Sequence, residues 1–448
     1  MRVKIQYCIF TLTPIYPFNR ILERVSSLSK QAELDIAYVR EQFPGLKNGW
    51  AFMDNAGGTQ ILARAVERMN DFLFNKNVQI GGSYDISLQA AAALQSGREA
   101  IATLVNASRP EEIVFAPTST TAMQNLARSM RGQLKEGDEI IVTVSDHESN
   151  IGPWVSLQEI GVQIKFWDLD KESLALKLED LDKLMTERTK LVAVTHVSNI
   201  LGTINPVGEI ADFVHARGAL ICVDCVAYAP HRAIDVQSWD VDFLGFSLYK
   251  VYGPHGAVLY GKYELLAELD NLYHYFYGKD KVPAKLEPGN ASYELAYSTT
   301  GIVEYLSDLG ARSGASNSGA VHSGSASERE NIELAFYLIT DHENKLAESL
   351  LSYLRCRKDC CIIGIEDGYD ARRVPTISFK VEGRDAGEIC QAMDKYQIAI
   401  RFGDFHARRL VEYLDLADNS GVVRVSFAHY NTLDEVDELV TALEEILG

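Results

Sequence analysis

Asp242-Phe-Leu-Gly-Phe-Ser-Leu-Tyr-Lys-Val-Tyr-Gly-Pro-His-Gly-Ala-Val-Leu-Tyr-Gly261 is the stretch that decides the fold. Phe243 to Ser247 and Ala257 to Tyr260 read as two short apolar strands around a turn rich in Gly and Pro. Lys250 is the only lysine in the stretch, flanked by Tyr249, Val251 and Tyr252. Two readings compete for it. A lysine at a strand end can bury its stem and keep its ammonium in water. Held among apolar and aromatic groups, it instead loses its proton more easily and becomes an amine nucleophile. Asp224 favours the second reading. It closes the apolar strand Leu220-Ile-Cys-Val223, where a carboxylate points into a site at the strand's carboxyl end. A Schiff-base lysine and an aspartate for a pyridinium nitrogen are the pair that pyridoxal 5'-phosphate requires.

Ser247-Leu-Tyr-Lys250-Val-Tyr-Gly-Pro254 resembles the Ser-x-His-Lys-x-x-Gly-Pro cofactor motif of the class V aminotransferase family, in particular its cysteine desulfurase branch. The resemblance runs from about Phe52 to the C-terminus. It implies an α/β protein of the pyridoxal-phosphate-dependent transferase fold type I. Residues 31–309 would form a large domain with a mostly parallel seven-stranded sheet, its first residues packing on the small domain. Residues 328–448 would form that smaller α+β domain. Residues 1–30 read as an extension, and 310–327, rich in Gly, Ser and Ala, as a mobile loop.

The whole chain sets limits. With 448 residues, 47% of them apolar, it can bury a large core. A net charge of −19 argues against nucleic-acid or anionic-membrane partners, which need a basic face. A phosphate site must therefore be built locally, from backbone N–H groups and hydroxyls. Seven cysteines are too few for a disulfide framework and point to a reducing compartment, the cytoplasm. Cys222 and Cys225 spell C-x-x-C on a predicted strand, where side chains three apart face opposite ways, so they read as buried structural thiols. The apolar run Tyr7–Phe18 is broken by Pro14 and Pro17 and is too short to span a membrane.

Other motifs follow in chain order. Thr118-Ser-Thr-Thr121 lies between the strand Ile113–Phe115 and the helix Ala122–Met130. A hydroxyl run there can be a helix cap, or a phosphate cradle that uses free N–H groups and the positive end of the helix dipole. By resemblance, Ser119 and Thr120 hold the cofactor phosphate, with Ser247 and Tyr249 from the lysine motif. His147 would stack on the pyridine ring and exchange protons, and Asn199 would bond the phenolic oxygen. Asn290 belongs to a loop that in the family crosses to a partner's phosphate, which implies a homodimer with shared sites. Asn55, in a glycine turn, would line the substrate entrance. The sequence departs from the family at Ala227, where a glutamine is usual, and at Tyr249, where a histidine precedes the lysine.

Two features bear on the reaction. Arg424, on a predicted strand, points away from Val423 and Val425; by resemblance it clamps the substrate carboxylate. Arg401-Phe-Gly-Asp-Phe-His406-Ala resembles the loop that carries the sulfur-accepting cysteine of desulfurases, yet His406 stands in the cysteine's place. The expectation is an enzyme acting on an amino acid or related amine through Lys250, with His406 in proton transfer and no persulfide. Transaminase, lyase, epimerase and desulfurase-like chemistry stay open. The alternative is an idle cofactor-binding protein with a regulatory or partner-binding role.

Overall fold

The computed structural model describes residues 33–315 and 326–448. The expected extension lies outside these residues, as does most of the expected Gly/Ser-rich loop. A two-residue strand, β1 (Ala51–Phe52), opens the matched region and is followed by the helices α1 (Ala63–Asn75) and α2 (Asp85–Val105).

Seven strands then build the main sheet: β2 (Ile113–Ala116), β3 (Glu139–Thr143), β4 (Gln163–Trp167), β5 (Thr189–Thr195), β6 (Leu220–Asp224), β7 (Phe243–Ser247) and β8 (Ala257–Gly261). Their order is β2-β8-β7-β6-β5-β3-β4. Only β8 runs antiparallel to its neighbours. Runs such as Leu191-Val-Ala-Val194 are fully buried because helices cover both faces. Alternate residues serve opposite sides. Val192, Val194, Ile221 and Val223 pack with Tyr305, Leu306 and Phe336. Leu191, Ala193 and Cys222 pack with Met123, Leu126 and Trp154. Helix α3 (Ser119–Met130) covers this second face and α4 (Val207–His215) the first.

Residues 310–315, expected in the loop, instead end the helix α5 (Tyr293–Ala315). Gly310 has a packing role there: a Cβ would collide with the Asn331 backbone on α6 (Glu328–Cys356). Ser327 caps α6 through a reciprocal box with Glu330.

The C-terminal sheet, β12-β13-β10-β9, is antiparallel. It comprises β9 (Cys360–Ile363), β10 (Thr376–Val381), β12 (Arg401–Gly403) and β13 (Val422–Ser426). Residues 398–403 form two strands. β11 (Ile398–Ala399) pairs in parallel with β1, and β12 then pairs with β13. The chain changes sheets at Ile400, which ties the segment before the main sheet to the small one. Helices α7 (Ala386–Met393) and α8 (Leu433–Leu447) close this core.

Candidate active site

The carboxyl ends of the parallel strands border a cleft of about 690 Å³. Because β8 runs the other way, its start joins the same rim. Lys250 follows β7 in a tight turn held by Thr59. The Thr59 hydroxyl donates to Tyr249 O at 3.1 Å and accepts from Tyr252 N at 3.0 Å. Lys250 lines the cleft and is only 8% exposed. Burial brings its pKa down to about 8; the Arg424 cation adds to this and Asp224 opposes it. At pH 7 about a tenth of the amine is thus uncharged, far more than for a solvated lysine.

Asp224 ends β6 and is buried at the cleft floor. Its Oδ1 accepts from Val226 N at 2.9 Å, and burial holds its carboxyl above the usual range. His147 follows β3. Its Nδ1 accepts from Ser149 N at 3.0 Å, so in the neutral ring the proton sits on Nε2. Burial, with Lys250, His406 and Arg424 nearby, brings its pKa down to about 4, leaving a flat, uncharged ring at neutral pH.

The neighbouring Asp146, which sequence reasoning passed over, anchors that ring's loop. Its Oδ1 accepts from Asn150 Nδ2 at 2.7 Å and its Oδ2 from Thr195 N at 3.0 Å, tying the loop to β5. Burial pushes its carboxyl up to about 8. The available signal was a carboxylate beside His147 with Asn150 four residues on.

At the other end, Thr118 caps α3 by accepting from Thr121 N at 3.0 Å. The helix begins three residues earlier than expected, with Ser119 and Thr120 in its first turn. The first N–H groups of a helix lack partners within it. Thr118 accepts from Thr121 N and Ala122 N, which leaves those of Ser119 and Thr120 for a ligand. Cap and cradle are therefore the same structure. Ser119 Oγ and Ser247 Oγ lie 2.7 Å apart across the strand ends, and Tyr249 borders the same end.

Asn199 lines the middle of the cleft. Its Nδ2 donates to Phe405 O at 2.9 Å, and its buried Oδ1 has no partner. Phe405 and His406 adopt consecutive left-handed conformations, φ 51° and 59°, which L residues rarely adopt. The loop is pinned by that Asn199 bond and by Glu148 N donating to His406 O at 2.8 Å. The His406 ring, at the exposed rim, lies 5.3 Å from that of His147.

Three expected site residues stand outside the lining. Asn55 Nδ2 donates to Phe52 O, Ser426 O and Asn431 Oδ1, and its Oδ1 accepts from Tyr430. It is a buried latch between the turn and the small domain; Gly57 of the same turn reaches the cleft. Asn290 is exposed, with φ 79°, and makes no part of this chain's own cleft. Arg424 points away from Val423 and Val425 and lies behind the lining. Its Nη2 donates to Asp54 Oδ1 at 3.0 Å, its Nη1 to Asn199 O at 3.1 Å, and its plane lies 3.6 Å from the Phe405 ring. Its Nε is buried without a partner.

The model of the family described as aminotransferase class V matches residues 51–439. The chain belongs to that family. Within it, the chain is 41% identical to the aminotransferase-like protein FGM3 of Gibberella zeae, over 93% of this chain and 99% of the relative. It is 31% identical to the cysteine desulfurase-like protein ustD of Aspergillus flavus, over 92% and 91%. The crystal structure of the cysteine desulfurase CsdA from Escherichia coli superposes with a TM-score of 0.77 at 27% identity, covering 92% of this chain and 98% of that one.

Class V aminotransferases and cysteine desulfurases depend on pyridoxal 5'-phosphate. The residues of this cleft fit that group. A buried amine of lowered pKa faces the interior, and a buried carboxylate lies on the floor. A neutral aromatic ring borders the space, the N–H groups of a helix start stand at one end, and Asn199 Oδ1 is a polar atom without a partner. Among the described residues no group of His, Cys, Asp and Glu could hold a metal ion. No described helix is long and apolar enough to cross a membrane.

Proposed function

We propose that this chain is an enzyme that uses pyridoxal 5'-phosphate to act on an α-amino acid or related amine, by moving protons rather than by passing sulfur to a protein thiol. The observation that carries this reading is the makeup of the cleft. Lys250 is buried within it, His406 stands at its rim, and among the described residues no cysteine lines it. Cys222, Cys225 and Cys390 are buried, and burial raises the pKa of each thiol, the opposite of what a sulfur acceptor needs.

When bound, the cofactor supplies an electron sink that stabilises negative charge at the substrate's α carbon. Lys250 would hold its aldehyde carbon covalently, and Asp224 would face the ring nitrogen and keep it protonated. His147 would lie flat against the ring, and Ser119 and Thr120 would take the phosphate. The Lys250 amine, with its pKa lowered to about 8, would be the base that carries a proton to or from the substrate's α carbon. His406 can give or accept a second proton at the rim. Arg424, behind the lining, would attract the substrate carboxylate with a guanidinium that Asp54 and the Phe405 ring hold in plane.

A second copy of the chain would complete the site. Just before the Asn290 loop, Tyr273, Tyr275 and Phe276 are 74%, 94% and 66% exposed. Such an apolar patch beside a loop that lacks a role in its own cleft suits a two-fold interface. The test is to follow Cα–H exchange in D2O for each amino acid in turn, with sedimentation of the same sample. Exchange with at least one amino acid, by a dimer, is expected. A monomer that exchanges none of them would refute the reading.

A further inference from the structure

The phosphate end of the cleft carries an imidazole with no part in the chemistry described so far. Ala257, at the start of β8, pairs with Ala116 of β2 and with Ser247 of β7, both antiparallel. Two residues before Ala257 therefore lie opposite two residues beyond each partner. This register sets His255 between Thr118 and Tyr249. The contacts agree. Leu248 N donates to Gly256 O at 2.9 Å, and the His255 and Tyr249 rings stack with centroids 4.9 Å apart and planes 23° apart. A Cβ on Gly256 would come 4.0 Å from Ala116 O.

Thr118 is the cap of α3, and His255 lines the same cleft as Ser119 and Thr120, whose N–H groups are open. It is exposed, and apart from the Tyr249 stack it has no partner among the described residues. Charge singles it out further. In a chain of net charge −19, a phosphate dianion held by N–H groups and hydroxyls gains from a local donor that can also carry positive charge. Among the described residues no arginine lines the cleft and its one lysine is Lys250, while the His147 and His406 rings lie 5.3 Å from each other.

We infer that His255 is a ligand of the cofactor phosphate, held against the helix start by its stack on Tyr249. In this chain Tyr249 stands where the family motif has a histidine before the lysine. The imidazole appears six residues later, two residues before the facing strand β8. It donates an N–H to a phosphate oxygen and, when protonated, offsets part of its charge. This inference rests on the cofactor reading of the cleft.

The test titrates the full-length chain, stripped of cofactor, with pyridoxal 5'-phosphate, with pyridoxal, and with inorganic phosphate as competitor. His255→Ala should weaken pyridoxal 5'-phosphate binding roughly 10-fold, as expected for losing one charge-assisted hydrogen bond. It should weaken inorganic phosphate likewise and leave pyridoxal, which lacks the phosphate, unchanged. His255→Gln, which keeps a donor, should recover part of the loss. The side chain is exposed, so the apoprotein's thermal midpoint should not move. Equal loss for pyridoxal and its phosphate, or no loss for either, would overturn the assignment while leaving Lys250 attachment intact. A wild-type chain that attaches neither compound would overturn the cofactor reading itself.

Discussion

The two walls of the cleft are built by different means. The main-sheet wall places Asp224 at the last residue of β6, Lys250 one tight turn beyond β7, and His147 just past β3. Strand register fixes each position, and helices bury both faces of the sheet behind them. The opposite rim, around His406, is an irregular loop with two consecutive left-handed residues, pinned by bonds to Asn199 and Glu148. Strain of this kind persists only where neighbours enforce it. In the function proposed above, the first wall would carry the cofactor chemistry, and the second would carry His406, the group proposed to select the reaction.

If that division holds, substitutions on the two walls should fail differently. The largest effect is expected at Lys250. Lys250→Ala should abolish borohydride-fixed cofactor on the peptide containing residue 250 and slow turnover at least about 10³-fold. Peptide mapping that found the label on another lysine would break the comparison at its base.

The same lysine costs the apoprotein stability, since its ammonium is buried. Its pKa falls from 10.5 to about 8 on folding. Between those values the unfolded chain holds a proton that the folded chain has lost, so this contribution makes stability rise with pH across the window. Below about pH 8 both states are protonated and the full cost is present. Lys250→Met should therefore stabilise the apoprotein at pH 7 by up to ~3 kcal/mol, with the gain gone above pH 10.5. Paired denaturant titrations at pH 7 and 10.5 would show whether it shrinks as expected.

Smaller effects belong to Arg424, behind the lining, and to His406 at the rim. Arg424→Lys keeps a charge but loses the planar fork. It should raise KM for a carboxylate substrate roughly 10-fold, with kcat nearly unchanged. A fall in kcat at constant KM would instead assign Arg424 to the bond-breaking step. His406→Ala should slow Cα–H exchange about 10-fold or more while the affinity for pyridoxal 5'-phosphate stays put, because its contacts lie on the other wall.

The same contrast explains what was legible in the sequence. The central strands were, because a parallel strand buried on both faces is a continuous apolar run. Asp224, His147 and Lys250 stand where such runs stop, and polar groups at those places mark a site. The edge strand Gln163–Trp167 was not singled out, since Gln163 and Lys165 break its apolar run; Lys165 pairs with Glu139 on the neighbouring strand. The helical end at 310–315 looked like a loop because small residues serve either mobility or close helix packing, and only the facing Asn331 backbone decides. Asn55, Arg424 and His255 depend on partners far away in sequence. Asp54 and Asn199 hold Arg424, Tyr430 and Asn431 hold Asn55, and two strand pairings place His255. No local pattern contains that information.

The central claim is that the rim moves protons and not sulfur. It is tested most directly by giving the cofactor-loaded wild-type chain L-cysteine and a thiol reductant, then measuring sulfide release and protein-bound persulfide together. Neither should rise above a Lys250→Ala control. Sustained sulfide release with a persulfide mapped to any cysteine of this chain, unaffected by His406→Ala, would contradict the account.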